Sequence, residues 1–218
     1  MKKLLALVLC AALLLTCTGC SAFMEGFQEG LQGALQDAAN EANKEIARGT
    51  VDGNVYASEY SGLTFTKPDS WTYATDEEIA DTMEVGADVI DADSFAETLG
   101  QMATVYDMMV IDMESGSNVS IMYENLQLTN GGAMTAEAYA DVLKGQFDEL
   151  KEMNYTVSNT ETVSLGGEDW LRMTTSVEYS DISMTQAYYL RASGTVMMAV
   201  VITVLGDTEL SSVEAMFS

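Results

Sequence analysis

Any chemistry in this chain would have to come from carboxylates. The sequence of 218 residues holds 34 Asp and Glu, no histidine and 3 cysteines. Lack of imidazole excludes Ser–His and Cys–His nucleophilic catalysis, histidine metal ligation and the usual proton shuttle near neutral pH. There is no GxSxG elbow, and Thr64-x-x-Lys67 stands in a strand pattern without the partner motifs of Ser-x-x-Lys enzymes. Gly131-Gly132 and Gly166-Gly167 read as turn punctuation, not phosphate loops. Two acids flanking a cleft can hydrolyse a glycosidic bond when one keeps its proton. With so many acids, however, no pair stands out, and no catalytic residue is nominated.

Calcium is the other use for clustered oxygens. Asp88, Asp91 and Asp93 lie close together, but an EF-hand loop beginning at Asp91 needs Gly at its sixth position and Glu at its twelfth. Ala96 and Met102 stand there instead. The cluster therefore reads as a solvated helix end, and no metal or cofactor is expected. Asp76, Glu77, Glu78, Asp81, Glu84 and Asp88 read as the wet face of the same helix. The 15 methionines include Met108-Met109 and Met197-Met198, adjacent strand positions that point to opposite faces. They are better explained by core filling than by an adaptable binding surface. Trp170 and Tyr188-Tyr189 read either as a ligand platform or as a buried hairpin.

The cysteines belong to a different kind of chemistry. Met1-Lys2-Lys3 is a basic start, Leu4 to Leu15 is an unbroken apolar run, and Thr16-Cys17-Thr18-Gly19-Cys20 follows. The run is too short to cross roughly 30 Å of hydrocarbon, which takes about twenty residues, and its flanks are those of a secretory signal. Thr18-Gly19-Cys20 resembles the lipobox of bacterial lipoproteins, with Cys17 where Leu is usual. That resemblance implies cleavage between Gly19 and Cys20 and an acyl anchor on Cys20. An ordinary signal without lipid is the alternative. Cys10 and Cys17 would leave with the signal, so the mature chain could form no internal disulfide. Its domain must then be held by its core, and residues 50–218 are long enough to bury one.

The net charge is −25, and loss of Lys2 and Lys3 makes the mature chain more acidic still. Such a surface repels phosphates and anionic head groups, which excludes nucleic acid as a partner. Solubility explains the acidity better than a specific partner does.

These residues must be positioned by three segments: a signal at 1–19, a lipidated tether at 20–49 and a domain at 50–218. In the tether Phe23, Phe27, Leu31, Leu35, Ala38, Ala42 and Ile46 recur at helical spacing. Gly26, Gly30 and Gly33 interrupt them. A marginal amphipathic helix and a flexible linker both fit. In the domain, a strand over 62–66 stops at Pro68, and Trp71 turns back into the core. Thr75 with Glu78 forms a capping box for a helix with Ile79, Met83, Ala87 and Ile90 inward. A second helix spans 94–102. Strands are expected over 106–112 and 118–124, then a helix capped by Thr135 to about Met153 with Ala138, Val142, Leu143, Phe147 and Leu150 inward. Further strands cover 156–163, 170–179, 182–191 and 195–205, and a last helix runs from Asp207 to Phe217. Strands mostly in hairpin order, with helices among them, make an α+β domain: an antiparallel sheet covered by helices.

The order of these elements, with Tyr60-x-Gly62-Leu63-x-Phe65-x-x-Pro68-x-x-Trp71 at the start and Leu165-Gly166-Gly167 before the last hairpins, resembles the PsbP-like α/β/α sandwich family over residues 56–218. The resemblance implies a binding or assembly factor and carries over no functional residue. The expected protein is a non-enzymatic lipoprotein, held through Cys20 on the extracytoplasmic face of the cell membrane and binding a protein or envelope partner. A small-molecule or carbohydrate receptor on the same anchor is the second reading, and a carboxylate-based hydrolase the third.

Overall fold

The structure, a computed structural model, describes residues 46–84, 95–150, 155–179 and 182–218. The chain opens with a small antiparallel sheet of β1 (Thr50–Asp52), β2 (Val55–Ser58) and β3 (Leu63–Thr66). β4 (Trp71–Tyr73) leads to helix α1 (Asp76–Met83), and α2 (Phe95–Gln101) leads to β5 (Thr104–Asp112) and β6 (Asn118–Asn125). The one-turn α3 (Leu126–Thr129) and the long α4 (Ala136–Glu149) follow. Next come β7 (Thr156–Val157), β8 (Glu161–Leu165), β9 (Glu168–Tyr179), β10 (Ile182–Ser193), β11 (Val196–Leu205) and α5 (Leu210–Glu214). The large sheet has the order β4-β5-β6-β11-β10-β9-β7, with β8 also beside β9, and its pairings are antiparallel. The protein is an α+β domain.

Both faces of the large sheet are covered. On one face the small sheet, α2 and α5 contribute Tyr56, Leu63, Phe65, Phe95, Leu99, Val213 and Phe217 to a core with Val119, Ile121, Tyr123, Trp170 and Tyr189. On the other, α1, α3 and α4 bring Ile79, Ala80, Leu126, Tyr139, Ala140, Leu143 and Phe147 against Met122, Met173, Tyr188 and Met197. Double coverage explains why every residue of β6 is buried, although its sequence alternates. Burial of each large apolar side chain contributes about 1.5–3 kcal/mol, so the two cores supply the main stabilising term.

Several expectations are corrected. α4 turns Tyr139, Ala140, Leu143 and Phe147 inward, while Ala138 and Leu150 are exposed and Val142 is half-buried. The expected strand over 156–163 is two strands, β7 and β8. Between them the Ser158 hydroxyl accepts from Thr174 N–H at 2.9 Å, taking a backbone carbonyl's place in the ladder. α5 is shorter than the expected 207–217 helix, and Phe217 instead bridges to Phe65 as residues 216–218 bond along β3. α1 ends at Met83 with Glu84 in the left-handed region. Ala87 and Ile90 lie outside the described residues, as do the expected signal and most of the tether.

The capping box of α1 is present: Thr75 Oγ1 accepts from Glu78 N–H at 3.3 Å, and Glu78 Oε2 accepts from Thr75 N–H at 2.8 Å. Thr75→Ala is expected to lower stability by about 1 kcal/mol, read as a lower urea midpoint with an unchanged slope. Among the described residues, no helix is long and apolar enough to cross a membrane.

Candidate functional site

A buried polar cluster is built around Asp107 in the middle of β5. Pairing with β6 slips between Tyr106 and Met108, so Asp107 is the extra residue of a bulge. A bulge lets two successive side chains reach one face, and here Asp107 and Met108 both point toward the small sheet. Its carboxylate, 3% exposed, accepts from Tyr56 Oη at 2.6 Å, Tyr123 Oη at 3.0 Å and Gly49 N–H at 2.9 Å. Ser58 Oγ lies 3.5 Å from Tyr123 Oη. Burial pushes the Asp107 carboxyl above the usual carboxylate range, against the downward pull of Tyr56, Gly49, Tyr123 and the charge of Arg48. Burial first, then the charge of Asp107, raises both tyrosines.

A second buried acid lies on the opposite face of the sheet. Glu124 of β6, 2% exposed, accepts from the Tyr139 hydroxyl of α4, and its other oxygen has no hydrogen-bond partner. Burial raises its pKa, with Thr129 and Tyr139 pulling down. Because Asp107 and Glu124 face different cores, they cannot flank one substrate. Tyrosine hydroxyls from neighbouring elements bond to each, which ties those elements to the sheet.

Two half-buried arginines fasten the remaining edge. Arg172 of β9 donates to Glu161 of β8 at 2.7 Å and to Glu214 of α5 at 2.6 Å, and the Tyr189 hydroxyl donates to the same Glu214 oxygen. Arg191 of β10 stacks 4.4 Å above Trp170, donates to Glu168 at 3.1 Å and donates to the Ser61 carbonyl. Elsewhere Arg48 pairs with Asp76, and Lys144 with Asp141. Lys67 donates to Asn54 and lies over the Tyr73 ring. Every lysine and arginine among the described residues is thus already engaged.

Gly19, Cys20, Asp88, Asp91 and Asp93 lie outside the described residues. The acids Asp76, Glu77, Glu78 and Asp81 line α1. Met108 and Met198 enter one core and Met197 the other, with Met109 packed against it, which is core filling. Tyr188 and Tyr189, both fully buried, split between the two cores, and Trp170 is buried beneath Arg191, so these aromatics form no open platform. No three potential metal ligands among His, Cys, Asp and Glu gather among the described residues. The Asp107 and Glu124 clusters were missed. Their signal is an acid at 107 inside an apolar strand pattern, and a second acid closing the β6 pattern.

No family model matches the chain, and no curated protein matches it. Among solved structures it is similar to the solution structure of cyanobacterial PsbP (CyanoP) from Synechocystis sp. PCC 6803, at a TM-score of 0.42 and 12% identity, over 89% of this chain and 98% of that one. It is also similar to a crystal structure from Bacteroides thetaiotaomicron at a TM-score of 0.38 and 12% identity, over 77% of this chain and 48% of that one.

Proposed function

We propose that the protein is a lipoprotein anchored through Cys20 on the extracytoplasmic face of a membrane, whose domain binds a protein or other envelope component without catalysing a reaction. The observation that carries the anchor is the succession of Lys2-Lys3, the apolar run from Leu4 to Leu15 and Thr18-Gly19-Cys20. Supporting a binding role, the two acids whose pKa burial raises, Asp107 and Glu124, are buried on opposite faces and committed to tyrosines of the scaffold. Perturbed carboxylates often mark catalysis, but these two are placed to join layers. Cys20→Ala is expected to move the protein expressed in a bacterial host from the detergent to the aqueous phase in phase partitioning. Unchanged partitioning would sink the anchor.

A further inference from the structure

The last residues of the tether, where it enters the first strand, are fastened to the domain in a specific way. Ile46 is 5% exposed and belongs to the core on the small-sheet side. Arg48 reaches the first turn of α1, its Nη2 lying 2.7 Å from Asp76 Oδ1. The Gly49 N–H donates to Asp107 at 2.9 Å. At Gly49 the chain also passes directly over the Tyr56 ring: a Cβ there would stand 2.3 Å from Tyr56 Cε2. That ring cannot swing aside freely, because its hydroxyl is bonded to Asp107 at 2.6 Å. Beyond Gly49, β1 is exposed at all three residues and lies at the outer end of the small sheet, paired to β2.

We propose that residues 46–52 form a latch, closed by Asp107 and the glycine step over Tyr56, that opens as one unit and lengthens the tether while the sandwich stays folded. This rests on the reading of Cys20 as the anchor, since only then does the strap face a membrane. Edge position makes the latch separable. Removing β1 leaves β2 paired with β3, and β3 bonded to residues 216–218 through Thr64 and Thr66. β10 and β11, by contrast, are paired from Met184↔Leu205 to Ser193↔Val196 at the centre of the fold. Local openings of this kind follow contiguous units with few buried apolar groups. Of the hydrophobic residues in the strap, Ile46 is buried and Val51 is 53% exposed. Once released and extended, the seven-residue strap spans at most about 25 Å.

The test is amide hydrogen exchange on the full chain. Gly49→Ala forces a methyl group into the Tyr56 ring, so residues 46–52 should exchange about tenfold faster or more, with β10 and β11 unchanged. Asp107→Asn keeps an acceptor for the Gly49 N–H, with its amide against the two tyrosine hydroxyls, and should retain the protection. Unaltered exchange at 46–52 in Gly49→Ala, or a matching loss in β10 and β11, overturns the latch. So does release in Asp107→Asn as large as in Gly49→Ala. The exchange readout does not depend on acylation, so failure of Cys20→Ala to alter partitioning would remove the anchor and leave the strap's opening separately measured.

Discussion

Asp107→Ala is expected to lower the unfolding free energy by about 3–5 kcal/mol, the sum of buried donors left without an acceptor. The donors are Gly49 N–H, Tyr56 Oη and Tyr123 Oη, all bonded to that one carboxylate. The hydroxyl of Tyr123 keeps a 3.5 Å approach to Ser58. In a domain of this size each kcal/mol moves the melting temperature by about 2–4 °C, so the loss should be on the order of 10 °C. Asp107→Asn should cost less than half as much, because the amide keeps the shape, keeps an acceptor and can donate to a tyrosine oxygen. Calorimetric melting of both variants measures the difference. Equal losses would mean that charge, not hydrogen-bond acceptance, is what the cluster requires.

The second large effect is on pH dependence. Burial raises the pKa of both Asp107 and Glu124 in the folded protein. A carboxyl with a folded pKa above its unfolded value holds its proton more tightly when folded. Its stabilising contribution is therefore complete below the unfolded values, 3.8 for Asp and 4.5 for Glu, and is lost as pH rises through the folded values. Repulsion among the surface acids, with a net charge of −25, acts in the same direction. The melting temperature should accordingly rise by several degrees between pH 8 and pH 5, the reverse of a domain held by exposed ion pairs. Glu124→Gln isolates one group: the amide carries no charge into the core, so it should gain about 1 kcal/mol at pH 8, where the carboxyl is ionised, and nothing at pH 4. A gain independent of pH would show that Glu124 does not titrate between those limits. Asp112 runs the other way: desolvation opposes it, but the Ser115 hydroxyl and the Glu114 and Ser115 N–H groups together lower its pKa, and its exposed turn limits its weight.

Much of the scaffold was legible because single residues decide it. Thr75 and Thr135 cap the helices they were expected to cap, and Leu63 with Phe65 defines the inward side of β3. The α+β class follows from strands in hairpin order. The inward face of α4 differs from the expected one because Tyr139 and Ala140, not Ala138 and Val142, meet the sheet, and neighbouring helical faces differ by one residue step. β1 and β2 were not expected at all, although Asp52-Gly53-Asn54 marks the turn between them and Gly53 has the positive φ, 57°, that such turns require. The Asp107 cluster is harder to read. A bulge shifts which side of the strand a residue occupies, and strict alternation cannot show one. Its partners, Tyr56 and Tyr123, come from distant elements joined only by the fold.

One more property follows from the engagement of every described lysine and arginine with groups of its own domain. Among the described residues no lysine or arginine is left to answer an approaching copy, which meets mainly uncompensated negative charge. Screening confines this repulsion to about 8–10 Å at physiological ionic strength, so it acts between neighbours nearly in contact. On the anchor proposed at Cys20, molecules confined to a bilayer plane would keep apart, spreading as a dilute two-dimensional gas instead of clustering.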